Sequence, residues 1–82
     1  SITIADEDRD LWEALRSCRQ MLANEHSVPP YVIFHDSTLR QMLEHRPDNE
    51  AGLLELSGVG QTKLDRYGEH FLEALRQHSM AG

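Results

Sequence analysis

The sequence predicts an all-α fold, a compact single-domain bundle of about five short helices with a helix-hairpin-helix-like turn. Three observations lead there. The 82 residues suffice for one domain with one modest core. Helix-forming residues dominate, while valine and isoleucine are few and never alternate over a strand length. Apolar residues recur at helical spacing in several segments that prolines and glycines separate.

The first helix is predicted over about residues 8–25. Leu11, Leu15, Cys18 and Leu22 recur at helical spacing, and Ala14 and Met21 widen this apolar stripe. Asp10, Arg16 and Arg19 fall on the predicted solvent face. Asp6 or Asp8 is the expected N-cap, and Asn24, Ser27 and the Pro29-Pro30 pair end the helix.

Residues 28–34 form the most apolar run, but two prolines make it unsuitable as a central strand. We expect a packed connector with a single turn after Pro30 that inserts Val32, Ile33 or Phe34 into the core. Tyr31 has two open interpretations. Its ring either packs at the edge of the core, or is held on the surface by the prolines, where it can stack on an unpaired base.

Two further helices are predicted before the glycines. The first begins with Asp36 or Ser37 as a cap, turns Leu39, Met42 and Leu43 inward and stops at His45-Arg46-Pro47, with Arg40 pointing away from the core. The second is short, spans about 49–55 with Asp48 as its cap, and turns three leucines inward: Leu53, Leu54 and Leu56.

Residues 56–68 form the most specific stretch. Gly58 and Gly60 bracket Val59, so the backbone can turn tightly and present free amides at the start of a helix. Such a helix start can hold a phosphate, and Lys63 and Arg66 can add cations beside it. A glycine turn before a helix is also common for purely architectural reasons. The last helix is predicted as one piece or as two broken near Gly68.

The charge distribution is uneven. A net charge of −6 argues against a generic nucleic-acid binder. Five acidic residues, however, crowd the N-terminal end: Asp6, Glu7, Asp8, Asp10 and Glu13. Four cations lie in the middle of the chain: Arg40, Arg46, Lys63 and Arg66. The local sign can therefore differ from the net sign.

The sequence offers no catalytic or metal-binding constellation. The five histidines lack two-ligand helical spacing, and the single Cys18, which lies on the apolar stripe, cannot build a zinc site. We therefore predict no catalytic residue, no metal and no cofactor. A lone cysteine suits a reducing compartment, and we expect an intracellular, cytoplasmic domain without a membrane segment. We interpret residues 1–7 as a linker, 8–78 as the domain and 79–82 as a frayed tail, all part of a larger protein.

Three motifs taken in order resemble the HRDC family, named for helicase and RNase D C-termini, and most closely the HRDC domain at the C-terminal end of bacterial RecQ helicases. The resemblance is collinear over about residues 11–75. It is carried by Val28-Pro29-Pro30-Tyr31-Val32-Ile33-Phe34-His35-Asp36, by the helix and stop over 39–47, and by Leu54-x-Leu56-x-Gly58-Val59-Gly60-x-x-Lys63-x-x-x-Tyr67-Gly68. It implies a five-helix-type bundle and an accessory role in binding DNA, attached to an ATP-dependent helicase.

The acidic balance differs from that of the basic members of the family and favours single-stranded over duplex DNA. We therefore predict a monomeric module, associated with the bacterial nucleoid, that binds single strands weakly and tunes substrate choice in recombination and repair. Its predicted contact residues are Tyr31, Gly60, Lys63, Arg66 and Arg40. Two alternatives stay open: a docking module that applies its acidic face to a basic partner or to the parent helicase, and a substrate-positioning domain of an RNase-D-like exonuclease.

Overall fold

The computed structural model describes residues 6–80, and the side chains of residues 8–78. Five helices and no strand lie in this part of the chain, which confirms the all-α prediction. They are α1 (Asp6–His26), α2 (Pro30–Ile33), α3 (Asp36–His45), α4 (Glu50–Leu54) and α5 (Gln61–Met80). Of the predicted linker and tail, residues 1–5 and 81–82 lie outside the described residues.

The core lies between the two long helices, α1 and α5, and the short segments close it. The helix α1 packs against α5, α2 and α3, and α4 packs against α5. Phe34, just after α2, is fully buried and makes edge-to-face contacts with Tyr67 and Phe71, with ring centroids 6.3 and 5.0 Å apart. The single turn predicted after Pro30 is present, and Ile33 and Phe34 are the residues that it inserts into the core.

Four apolar and capping positions differ from the prediction. Met21 and Leu54, expected to face inward, are 50% and 39% exposed, whereas Ala23 and Val59 are buried. The N-cap of α4 is Asn49, not Asp48. The Oδ1 of Asn49 accepts a 2.8 Å hydrogen bond from the amide of Gly52, three residues further along, which is the usual partner of an N-cap side chain. The cap position of α3 is His35, so Asp36 is already the first helical residue.

The glycine turn between α4 and α5 depends on one glycine. Gly58 has a φ of +89°, and a Cβ there would lie 2.4 Å from Thr38 Oγ1. That hydroxyl donates a 3.0 Å hydrogen bond to the carbonyl of Ser57. A Cβ at Gly60 would meet no atom within 4 Å, and the φ of Gly60 is not positive. The turn is therefore built on Gly58 and fixed against the start of α3.

Gly58→Ala is expected to destabilise the domain by roughly 2–3 kcal/mol, because a side chain is strained at that φ and displaces the Thr38 hydroxyl. For a domain of this size that lowers the melting temperature by about 10–20 °C in thermal denaturation followed by circular dichroism. The matched control is Gly60→Ala, for which we expect a change within about 0.5 kcal/mol. Equal losses in the two variants would contradict this account of the turn.

Candidate functional site

Tyr31 projects from a one-turn helix at the surface. It is the second residue of α2, follows Pro29 and Pro30, and is 59% exposed, so the interpretation that packs its ring at the core edge does not hold. Its ring is stacked on that of His35, with centroids 6.1 Å apart and planes inclined by 27°. Pro29 holds an extended backbone (φ −63°, ψ 151°) immediately before the turn. An exposed aromatic ring is thus mounted on a short, proline-started support.

Beside the ring lies an open hollow of about 470 Å³, which we call the tyrosine hollow. Its walls come from three places in the fold, because Arg19 of α1, the α2 turn and the start of α3 converge there. The lining residues are Arg19, Pro30, Tyr31, His35, Asp36 and Ser37. The hollow therefore combines an aromatic wall with charged and hydroxyl groups, a combination suited to a flat ring carrying polar edges.

Asp36, which lines the hollow, interacts with three arginines. A hydrogen bond from Arg19 lowers the pKa of Asp36 from its ordinary 3.8; partial burial opposes this, and the positive charges of Arg19, Arg40 and Arg16 add to it. Arg40, half-buried on α3, is therefore close enough to act on the hollow although it does not line it. Three arginines thus act on one carboxylate in a chain whose net charge is −6.

The start of α5 approaches the same end of the bundle. The Lys63 ammonium lies 5.7 Å from the ring centroid of Phe34, the residue that ends α2. Gly60 is exposed just before α5, and its carbonyl accepts the amide of Leu64 at 2.9 Å, so the amides of the first turn have no partner within the helix. Arg66 is exposed one turn further along and does not line the hollow.

Two residues of the hollow were missed by sequence reasoning. Arg19, predicted on the solvent face, has a side chain only 11% exposed, because it bonds to the carbonyl of Phe34 and the carboxylate of Asp36. Those partners lie 15 and 17 residues away, beyond what helical periodicity can reveal. His35 did carry a signal, since it stands four residues after Tyr31 and aromatic rings at that spacing can meet on one side of a turn.

Other chemistry receives no support in the described part of the chain. Among those residues no group of three or more His, Cys, Asp or Glu side chains is placed to hold a metal ion. No described helix is long and apolar enough to cross a membrane. Cys18 is half-buried on α1, and burial, aided by the charge of Glu73, raises the pKa of its thiol to about 11.

Cys18 is accordingly expected to react slowly. Its pKa is raised from 9.0 to about 11, so at neutral pH the thiolate fraction is roughly 100-fold below that of an ordinary cysteine. The rate of alkylation by iodoacetamide, followed by mass spectrometry, should be lower by at least that factor than in the urea-unfolded chain, and should rise with pH up to about 11. Equal rates in the folded and unfolded chains would contradict this.

Comparison with known proteins places these features in context. A family model for the HRDC domain matches residues 8–75. The chain is 36% identical over 75 residues to the ATP-dependent DNA helicase RecQ of Haemophilus influenzae, covering 92% of this chain and 12% of that protein. It is 40% identical over 73 residues to RecQ of Bacillus subtilis (89% and 12%) and 40% identical over 72 residues to the ATP-dependent DNA helicase UvrD2 of Mycobacterium tuberculosis (88% and 10%).

Two solved structures from Deinococcus radiodurans resemble the fold. RecQ HRDC domain 3 superposes with a TM-score of 0.82 at 34% sequence identity, covering 85% of this chain and 92% of that one. The solution structure of the HRDC1 domain of RecQ helicase gives a TM-score of 0.62 at 48% identity, covering 92% and 99%. The chain thus spans about one eighth of the RecQ helicases and nearly all of the isolated domains.

Proposed function

Because the chain belongs to the HRDC domain family, we propose that it is a non-catalytic accessory module of a RecQ-type helicase. This module binds single-stranded DNA weakly and tunes which substrates the helicase engages in recombination and repair. One observation carries the proposal: an aromatic side chain, Tyr31, stands 59% exposed on a proline-started turn beside an open hollow that Arg19 and Asp36 also line. A ring in that setting is suited to stack on an unpaired base.

Single-stranded DNA suits this surface better than duplex. Stacking of a base on an aromatic side chain is worth roughly 1–3 kcal/mol and needs no extended positive field. The net charge of −6 opposes the broad phosphate contact that duplex binding relies on. In the proposed complex a base stacks on Tyr31, while Arg40, Lys63, Arg66 and the free amides near Gly60 meet the flanking phosphates.

Binding of this kind is weak in the isolated domain. One stacking ring and two or three cations give a dissociation constant on the order of tens of micromolar or weaker at moderate salt. Attachment to a helicase that already holds the strand raises the effective concentration of DNA without new contacts. The module therefore biases the choice among DNA substrates and does not capture them unaided.

The parent enzyme is proposed from the relatives. The similar proteins are ATP-dependent DNA helicases, which supports a helicase parent over an RNase-D-like exonuclease and assigns the ATP hydrolysis to the rest of that protein. A DNA helicase parent in turn supports a location at the bacterial nucleoid. The module itself is proposed to act as a monomer.

The test is a titration of the labelled domain with a short oligonucleotide, recorded as amide chemical shifts. We expect perturbations around Tyr31, around Gly60 and at the start of α3. Raising the salt should weaken binding with a slope of about −0.7 per phosphate contacted, and Arg66→Gln should reduce the size of that slope by roughly 0.7. Shifts confined to the acidic start of α1, or no shifts at millimolar protein, would overturn the proposal.

A matched charge control is available on the same helix. Arg76 lies ten residues, about 15 Å, beyond Arg66 and pairs with Glu69. Arg76→Gln removes the same charge from the chain and should leave the salt slope unchanged. The docking alternative is separated by titrating the domain with the remainder of its parent protein in the absence of DNA, where association without any DNA response would favour docking.

A further inference from the structure

Arg19 joins three separate segments at the tyrosine hollow. Its Nη1 donates one hydrogen bond of 3.0 Å to the carbonyl of Phe34 and another of 2.7 Å to Oδ1 of Asp36. We propose that Arg19 and Asp36 act as a clamp that positions Tyr31 for base stacking; this rests on the function proposed above. Arg19 is then a positioning residue, which acts on the ligand through another side chain.

The support of Tyr31 needs such a clamp. A helix of four residues has no stability of its own, since nucleation fixes several dihedral angles for a single hydrogen bond. Within the turn, the amide of Phe34 reaches the carbonyl of Pro30 at a long 3.4 Å. The Phe34 ring, which is fully buried in the core, anchors the end of the turn. Arg19 holds the same residue by its carbonyl and ties it to both α1 and α3.

The clamp reaches the tyrosine ring through His35. His35 is the single residue between the two clamped points, the Phe34 carbonyl and the Asp36 side chain. Its own carbonyl accepts the amides of Thr38 and Leu39, so the start of α3 also holds its backbone. The His35 ring stacks on the ring of Tyr31. A 59% exposed ring otherwise samples several rotamers, and ordering it on binding costs free energy. The clamp lowers that cost by ordering the ring in advance.

The competing interpretation is that Arg19 contacts a phosphate directly. Its side chain is only 11% exposed, whereas that of Asp36 is 61% exposed. Its positive charge is already compensated by the Asp36 carboxylate, 2.7 Å away. These observations favour the clamp, and the two interpretations predict opposite effects of changing Asp36.

The decisive comparison is Asp36→Ala against Asp36→Asn, both measured for oligonucleotide affinity. Alanine breaks the clamp and also removes a negative charge from the proposed DNA surface. If charge alone mattered, Asp36→Ala would bind more tightly than the wild type. The clamp predicts weaker binding, by roughly 2- to 10-fold. Asparagine removes the same charge but can still accept from Arg19, so Asp36→Asn should bind at least as well as the wild type. Tighter binding by Asp36→Ala would overturn the clamp.

A double-mutant cycle separates positioning from direct contact. Arg19→Gln should weaken binding without changing the salt slope, and the effect should vanish in the Tyr31→Ala background, because the clamp acts only through that ring. A direct phosphate contact predicts the reverse, a slope reduced in size by about 0.7 and an effect that persists without Tyr31. The exposed position of Asp36 keeps its variants foldable even if Arg19→Gln loses stability.

A readout in the free protein distinguishes failure of the clamp from failure of the proposed function. The nuclear Overhauser contact between the rings of Tyr31 and His35 should be present in the wild type and Asp36→Asn, and weakened in Asp36→Ala. If the wild type does not bind DNA but these contacts behave as expected, only the proposed function fails. If the wild type binds DNA and the contacts are the same in all three proteins, the clamp fails.

Discussion

Tyr31→Ala is expected to weaken the binding of single-stranded DNA by roughly 5- to 150-fold, the loss that corresponds to one stacked base. The ring is 59% exposed, so the free energy of unfolding should change by no more than about 0.5 kcal/mol. Affinity is measured by titration with an oligonucleotide and stability by thermal denaturation of the same preparations. A large loss of affinity with almost no loss of stability would identify Tyr31 as a ligand contact.

The control for this variant is Tyr31→Phe. Phenylalanine keeps the stacking face and loses only the hydroxyl, so its affinity should stay within about threefold of the wild type. A loss as large as that of alanine would assign the effect to the hydroxyl and contradict stacking. If Tyr31→Ala instead lowers the melting temperature by many degrees, its loss of affinity reports loss of the fold, which would contradict the assignment of Tyr31 as a ligand contact.

Phe34→Ala is expected to have the largest effect on stability. Phe34 is fully buried, meets Tyr67 and Phe71 edge to face and lies under the Lys63 ammonium. Truncating such a ring costs about 3–5 kcal/mol through lost burial and the cavity left behind. The whole free energy of unfolding of a domain of this size is roughly 4–12 kcal/mol. Urea denaturation should show a much lower midpoint and, because the α2 turn loses its anchor, weaker DNA binding as well.

Val32→Ala is the matched control on the same turn. Val32 is 38% exposed, so its truncation should cost less than about 1 kcal/mol and leave DNA binding within about twofold. The contrast between Val32 and Phe34, two residues apart, tests which side of the turn faces the core. Similar losses of stability in Val32→Ala and Phe34→Ala would contradict a turn that buries Phe34 and exposes Val32.

The sequence was informative where the pattern is local. Helical periodicity predicted α1, α3 and α5, and the prolines predicted a single turn that inserts Ile33 and Phe34. The stop at His45 also follows from neighbouring residues, because Pro47 biases its predecessor away from right-handed helical geometry. Arg46 leaves that geometry for a left-handed conformation with a φ of 45°. Each of these signals lies within a few residues of the feature that it determines.

Long-range pairing was not predictable in the same way. Arg19 faces away from the apolar stripe, and only the fold brings Phe34 and Asp36 to it from 15 and 17 residues away. The requirement for glycine at Gly58, and not at Gly60, depends on Thr38, a residue of another helix. The exposure of Tyr31 was undecided for the same reason, since a residue in an apolar run is turned inward or outward by the packing of its neighbours.

Local electrostatics likewise emerged only from the fold. The sequence separates acidic residues at its N-terminal end from cations in its middle, but it does not reveal that Arg16, on the acidic helix, acts on Asp36 together with Arg40. Asp8 pairs with Arg46, so part of the acidic cluster is neutralised by one of those cations. The grouping of these arginines around Asp36 is therefore a product of how α1 and α3 pack.

The central claim, that Tyr31 stacks on a base of single-stranded DNA, is tested most directly by photocrosslinking. An oligonucleotide carrying 5-iododeoxyuridine is irradiated with the domain, and the modified residue is identified by mass spectrometry. The predicted result is a crosslink at Tyr31 that disappears in the Tyr31→Ala variant. A crosslink centred on another aromatic residue, such as Trp12 on α1, with none at Tyr31, would contradict the account.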